Sequence, residues 1–329
     1  MRAIVYDPHD VVWYVYEAPK ELLIANDPDE VPALLDRVEE YSSDGDHAVG
    51  YVSYEAAPAF DSALQVNRGE MPVATFGIFA SREPYQIPVV SESQVIMFAG
   101  LSQTAYQDAI AEIKQKLAAG ESYQVNFTHQ LTGEISGDFE SLFFTLVGAQ
   151  ESTYASYIEF EDQVICSISP ELFFELNGDD IRTEPMKGTR PRGRFLEEDQ
   201  RIKVDLAGSM KDRAENLMIV DMIRNDLSRI ALPGSVVADH LFELRQLPTV
   251  WQQVSTVKAK TNAGLREIFT AMFPCASVTG APKAATMSII KTLESAPRGL
   301  YTGAIGWVGP GRQMRFGVAI RTLLIDKQN

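Results

Sequence analysis

Basic residues are in short supply in this chain of 329: 29 Lys and Arg stand against 45 Asp and Glu, a net charge of −16. No basic stripe is present to neutralise phosphates, which argues against nucleic acid as a partner. Cysteine is almost missing. The 2 present, Cys166 and Cys275, sit among apolar or small residues with no CxxC pair and no disulfide framework, which points to a reducing cytoplasm. Long apolar runs are lacking, since none nears the ~18 residues that span a bilayer. The opening MRAIVYDPHDVVWYV has neither the basic start nor the apolar core of an export signal. Neither membrane insertion nor export is expected. A GxxxxGK(S/T) loop is lacking too, so the turn VTGAPK (Val278 to Lys283) carries no nucleotide-phosphate signature.

Apolar material is plentiful by contrast. At 45% hydrophobic residues the chain has enough for a sizeable core in one large domain or two moderate ones. Residues 1–90 read as an N-terminal α/β portion. RAIVYD and VVWYVY are strand candidates, and DPDEVPALLDRVEEYSSDG is a helix opened by Asp and Pro and closed near Gly45. GYVSYEAAPAFD (Gly50 to Asp61) reads as a strand and a turn, with Tyr54 a half-buried strand aromatic in preference to a site role for Tyr54 and Glu55. SREPYQIPVVSESQ, with its prolines and few large apolar residues, is a connection to the second portion, residues 91–329.

In that second portion Thr104 is expected to cap an amphipathic helix with Tyr106, Ala109, Ile110, Ile113 and Leu117 on one face and Gly120 at its end. ESYQVNFTHQL alternates as a strand, with Gln124 on the face opposite Tyr123. Ser152 to Glu184 reads as antiparallel strands that turn at Glu161-Asp162 and Asn177-Gly178. Helices follow over Leu196 to about Ala207 and Asp212 to about Arg229, the second offering Leu217, Val220, Ile223 and Leu227 to the core. After a further helix from Leu265, VTGAPK leads into a helix from about Pro282 to Ser295, and YTGAIGWV and MRFGVAIRTLLI form a hairpin.

Three features carry chemistry. Glu171 opens one strand and Lys187 ends the returning one, so a carboxyl and an amine lie on neighbouring strands: a general acid and a nucleophile if burial holds them protonated and neutral, or a surface salt bridge. Asp212 and Glu215, one helical turn apart, could hold a hard cation or simply form a solvated face. The VTGAPK turn feeds a helix N-terminus, whose free N–H groups suit an anion.

SPELFFELNGDDIRTEPMKGTRPRG (Ser169 to Gly193), KDRAENLMIVDMIRNDLSRI (Lys211 to Ile230), FPCASVTGAPKAATMSIIKTLESAPRGLYTGAIGW (Phe273 to Trp307) and VAIRT (Val318 to Thr322) resemble, in the same order, the chorismate-utilising enzymes. That family includes the anthranilate, aminodeoxychorismate, isochorismate and salicylate synthases. The resemblance implies an α+β fold, two antiparallel β-sheets packed as a sandwich with helices on the outside and the active site between the sheets. It also implies that residues 91–329 are the chorismate-binding catalytic portion.

Site roles follow from the same resemblance. Lys187 is the residue found in aminodeoxychorismate synthases where anthranilate synthases have alanine, and Gln124 matches the glutamine of ammonia-using members where water-using members have lysine. Lys187 is implied to attack C2 of chorismate while Glu171 protonates the departing C4 hydroxyl. Ammonia then adds at C4 and expels the lysine, giving 4-amino-4-deoxychorismate for 4-aminobenzoate and folate. Thr279, Gly280, Ala281 and Lys283 in the turn, with Tyr301 and Arg321, are implied to hold the substrate. Glu215, with Asp212 beside it, is implied to bind Mg²⁺. No Cys/His glutaminase pattern is present, so ammonia is expected from a separate glutamine amidotransferase subunit.

Departures from the family pattern are Gln252, where histidine is frequent, and Ala276, where glycine is usual. Members also continue beyond IRT into a glycine-rich segment and a helix with a second Mg²⁺-binding glutamate, so 91–329 is expected to be C-terminally incomplete. Anthranilate synthesis is the alternative reaction, disfavoured by Lys187 and by the lack of an LLES-type segment. A truncated chorismate-binding fragment without turnover is the alternative of another class.

Overall fold

A computed structural model describes residues 1–328. Strands form because apolar residues alternate, and the Arg2–Asp7 strand shows how both faces are used. Its Ala3 and Val5 point into a core shared with Val49, Tyr51, Ile305 and Trp307 of another sheet, while Ile4 points the other way onto Phe143 and Phe144 of the Phe139–Gln150 helix. The result is the expected α+β sandwich.

The smaller sheet is six-stranded, ordered Thr322–Asp326, Gln163–Ser169, Tyr154–Glu159, Arg2–Asp7, Val12–Tyr16, Glu83–Tyr85. The larger is ten-stranded, ordered Met186–Pro191, Val250–Lys260, Asp180–Glu184, Leu172–Asn177, Gln313–Val318, Ala304–Gly309, His47–Val52, Ala74–Phe79, Glu21–Ala25, with Val237–Gln246 also paired to Val250–Lys260. All their pairings are antiparallel. Helices Val31–Ser43, Met210–Ser228 and Leu265–Met272 cover the outer face of the larger sheet, where Phe173, Phe174, Phe269 and Phe316 stack into the main core. Residues 1–90 and 91–329 share both sheets, through the Arg2–Asp7 to Tyr154–Glu159 and the His47–Val52 to Ala304–Gly309 pairings. Among the described residues no helix is long and apolar enough to cross a membrane.

Local chemistry shifts several expected boundaries. Ser102, not Thr104, caps the Gln103–Ala118 helix, because its side chain is the one placed to accept from the Ala105 N–H. ESYQVNFTHQL pairs only at Gln124–Val125, against Gly280–Ala281, and leaves Tyr123 75% exposed. Tyr54 is in a 3₁₀ turn, Tyr54–Ala59, and is fully buried. The Asn177-Gly178 turn moves on by one residue: Asn177 pairs with Asp180, so Gly178, at φ 60°, and Asp179 make the bend. On the Met210–Ser228 helix Leu217 faces solvent and Asn216 takes the inward position.

One departure organises the molecule. Strands Gln163–Ser169 and Leu172–Asn177 belong to different sheets, and so do Gln313–Val318 and Thr322–Asp326, so MRFGVAIRTLLI is two strands and not one. Two of the places where the chain changes sheet are therefore Pro170-Glu171 and Ala319–Arg321. The crossings lie side by side, for the Val318 N–H donates to the Glu171 carbonyl at 3.0 Å and the Ile168 N–H to the Arg321 carbonyl at 3.1 Å. Glu171 is thereby held at the corner where the sheets exchange strands.

Candidate active site

At this corner a carboxyl and an amine converge on one serine. Glu171 is 3% exposed, and the Ser277 hydroxyl donates to its Oε1 at 2.5 Å. Lys187 Nζ donates to the backbone carbonyl of the same Ser277 at 2.7 Å, and Asn126 Nδ2 donates there at 2.9 Å. Lys187 lies inside the Met186–Pro191 strand, not at the end of the preceding one, and an irregular register between Met186 and Thr189 marks its place. These groups gather against the Met210–Ser228 helix and the Ala276–Thr279 turn. The space between the sheets, where the site was expected, is filled by apolar side chains such as Val5, Ile165 and Ile305.

The electrostatics suit acid and nucleophile better than a surface salt bridge. Burial pushes the Glu171 carboxyl up to about 7, only partly opposed by the Ser277 donor, the Lys187 charge and the Met186 N–H. Burial also lowers Lys187 from its usual range, opposed by Glu171, Glu215 and Cys275. Burial thus favours the protonated acid and the neutral amine relative to water.

The VTGAPK turn builds the adjoining wall. Gly280 has φ 144°, and a Cβ there would stand 2.0 Å from the Gln124 carbonyl, so only glycine allows the two short strands to pair. Thr279 is buried, its hydroxyl donating to Cys275 O at 3.0 Å and its carbonyl accepting from Asn126 N. The Ala281 carbonyl accepts from Tyr123 N and Ser122 Oγ. Lys283 is turned inward to Met272 O at 3.1 Å and Asp226 at 3.4 Å. Gln124 is the exception in this well-paired wall: its Oε1 is buried without a partner among the described residues, an acceptor open to a donor.

Residues that the sequence reading passed over hold this wall in place. Arg298, 6% exposed, grips Glu294 with Nε and Nη2 at 2.8 and 2.6 Å and also donates to Asn126 O at 2.6 Å and Val278 O at 3.2 Å. The Arg298 N–H donates to Glu55 at 2.8 Å. The i, i+4 spacing of Glu294 and Arg298 was the available signal, although Pro297 and Gly299 between and beyond them read as a helix stop. Burial pushes Glu55 up to about 7, and its Oε2 is buried without a hydrogen-bond partner among the described residues. A carboxyl whose folded pKa is raised favours folding fully below its unfolded pKa and loses that contribution as pH rises through about 7. Glu55→Gln is therefore expected to raise stability at pH 8 by roughly 2–3 kcal/mol, with the gain vanishing below about pH 5. Urea unfolding at the two pH values checks this.

Tyr301 and Arg321 border the site less closely. Tyr301 is 40% exposed beside Arg298, and Arg321, in left-handed backbone at φ 51°, donates to Gln150 Oε1 at 2.6 Å. The two helical acids are not equivalent. Asp212 accepts from Arg190 Nη2 at 2.6 Å, so a cation already neutralises it, whereas the ion partner of Glu215 is the exposed Lys211 at 3.8 Å. Among the described residues no group of three or more His, Cys, Asp or Glu could hold a metal. Asp212 and Glu215 do not by themselves fit Mg²⁺.

A buried acid and a partly buried lysine are thus held through one serine beside a glycine turn, a set of groups able to donate a proton and to act as a nucleophile. A sequence profile described as chorismate binding enzyme matches residues 82–329. This chain belongs to the chorismate-binding enzymes. It is 40% identical over 227 residues to aminodeoxychorismate synthase component 1 of Klebsiella aerogenes, covering 68% of this chain and 50% of that protein. It is 35% identical over 232 residues to anthranilate synthase component 1 of Saccharolobus solfataricus, covering 69% of this chain and 55% of that one. The chorismate-binding enzyme thus spans about half the length of these curated relatives. Its fold superposes on anthranilate synthase component I of Streptococcus pneumoniae with a TM-score of 0.79 at 21% identity, covering 100% of this chain and 83% of that one.

Proposed function

We propose that this chorismate-binding enzyme is the synthase component of an aminodeoxychorismate synthase, which aminates chorismate at C4. The observation that carries the reading is Lys187, partly buried and tied to the carbonyl of Ser277, the residue whose hydroxyl holds the buried carboxyl of Glu171. Lys187 adds to C2 of the ring, the ring double bonds shift, and the C4 hydroxyl leaves as water with the Glu171 proton. Ammonia then adds at C4, the double bonds shift back, and the C2–lysine bond breaks. The orphaned Gln124 Oε1 is the acceptor available to orient ammonia. Tyr301, Arg321 and the Thr279, Gly280, Ala281 and Lys283 turn complete the substrate wall.

Ammonia is supplied by a separate glutamine amidotransferase subunit in this reading. Were Mg²⁺ to take part, Glu215 would be the carboxylate free to meet it, with the remaining ligands supplied by substrate and water, and the ion would neutralise substrate carboxylate charge. Because Asp212 is occupied by Arg190, Mg²⁺ alone is expected to give no binding heat in calorimetry and to bind only with chorismate. Saturable Mg²⁺ binding to the free protein, lost in Asp212→Asn, contradicts that assignment.

Incubation with chorismate, Mg²⁺ and ammonium, followed by product identification, tests the reaction. Aminodeoxychorismate is expected. Anthranilate overturns the reaction assigned, and chorismate bound without turnover indicates a fragment that retains binding alone.

A further inference from the structure

Ser277 is unusual in meeting both reacting groups, each with a different part of the residue. Its hydroxyl donates to Glu171 Oε1 at 2.5 Å, and its carbonyl accepts from Lys187 Nζ at 2.7 Å. It is 3% exposed and sits in the short Ala276–Thr279 turn, whose carbonyl groups are themselves held: Asn126 Nδ2 binds Ser277 O and Arg298 Nη1 binds Val278 O. We propose that Ser277 is a positioning residue for the amination, holding the general acid Glu171 through its hydroxyl and the nucleophile Lys187 through its carbonyl. The proposal rests on the amination reading.

A hydroxyl is suited to this place because it is a donor in both states of the acid. While Glu171 carries its proton on Oε2, the Ser277 hydroxyl donates to Oε1. When that proton departs with the C4 oxygen as water, the hydroxyl stays in place as a donor to the carboxylate left behind. The acid keeps its position in both states. Charged and titratable groups around the pair are Lys187 from its strand, Glu215 from the Met210–Ser228 helix and Cys275, whose sulfur lies 3.2 Å from the Ser277 hydroxyl and whose thiol burial pushes up to about 12. None of them replaces the hydroxyl as a donor to Glu171, since the Cys275 sulfur is turned to Ser277 itself.

The test follows Glu171 directly. The infrared band of its protonated carboxyl, identified by its loss in Glu171→Gln, is titrated with pH in the parent, Ser277→Ala and Ser277→Thr. Removal of the donor to the carboxylate should move the midpoint upward by about one pH unit in Ser277→Ala, a tenfold change in the protonation equilibrium, while Ser277→Thr stays with the parent. In turnover, Ser277→Ala should lower kcat at least about tenfold with KM within about threefold, and Ser277→Thr should recover most of it. Ser277→Cys, similar in volume and a weaker donor, serves if the alanine variant does not fold. An unmoved midpoint, or equal losses in the alanine and threonine variants, overturns the proposal. If the parent forms no aminodeoxychorismate the amination reading fails, and the infrared titration still decides whether Ser277 holds Glu171.

Discussion

Lys187→Ala should lower the rate of chorismate amination by at least about 10³-fold while leaving the fold and chorismate binding intact. The amine is the group that bonds to substrate carbon in the proposed reaction, a role the Glu171 carboxyl beside it does not take. Folding should survive because the Ser277 carbonyl that Lys187 occupies keeps its second donor, Asn126 Nδ2. Lys187→Arg should be as inactive as the alanine variant, since a guanidinium stays protonated where burial makes an amine easier to deprotonate than in water. Steady-state kinetics beside chorismate binding by fluorescence or calorimetry separates these effects. A loss below about tenfold in Lys187→Ala would remove the nucleophile from the account.

The second large effect is structural. Arg298 and Glu294 form an ion pair at 2.6 Å with side chains 2% and 4% exposed, and Arg298 also satisfies the carbonyls of Asn126 and Val278. Replacing the arginine leaves a carboxylate unpaired in the interior. Arg298→Met is therefore expected to cost about 3–5 kcal/mol of stability. If the cost comes from that stranded charge, Arg298→Met combined with Glu294→Leu should recover much of the stability, because a buried pair can often be exchanged for apolar side chains without loss. Activity should stay low in the double variant, as Asn126 has lost its anchor and Asn126 helps hold Ser277. Urea unfolding of the single and double variants reads the first part, and kcat the second. A single variant within about 1 kcal/mol of the parent contradicts this reading.

How much of this was visible in the chain depended on whether the deciding contact was local. The strands Arg2–Asp7 and Tyr154–Glu159 and the helix Val31–Ser43 announce themselves through periodicity and flanking turn residues. Alternation says that a segment is a strand but not which sheet receives it, so the crossings at Pro170-Glu171 and Ala319–Arg321 were read as continuous structure. Glu171 and Lys187 stood out through resemblance and do converge in space. Ser277, by contrast, sits 106 residues from the carboxyl it contacts, and within CASVTG it looked like one more small residue in a turn. Asp212 and Glu215 share a helical spacing that suggests a pair, yet Arg190, on a strand that precedes the helix, singles out one of them. Thr104 lost the capping position to Ser102 by the placement of one oxygen, a distinction below the resolution of a pattern.

Peptide mass spectrometry after an acid quench, with chorismate present and ammonia withheld, tests the central claim most directly. Without ammonia the second displacement is blocked, and a covalent adduct equal to chorismate less one water should build up on the peptide that contains Lys187. It should disappear when ammonium is added and be missing in Glu171→Gln. Formation of aminodeoxychorismate by the parent with no adduct on Lys187 at any time would contradict a lysine nucleophile at this site.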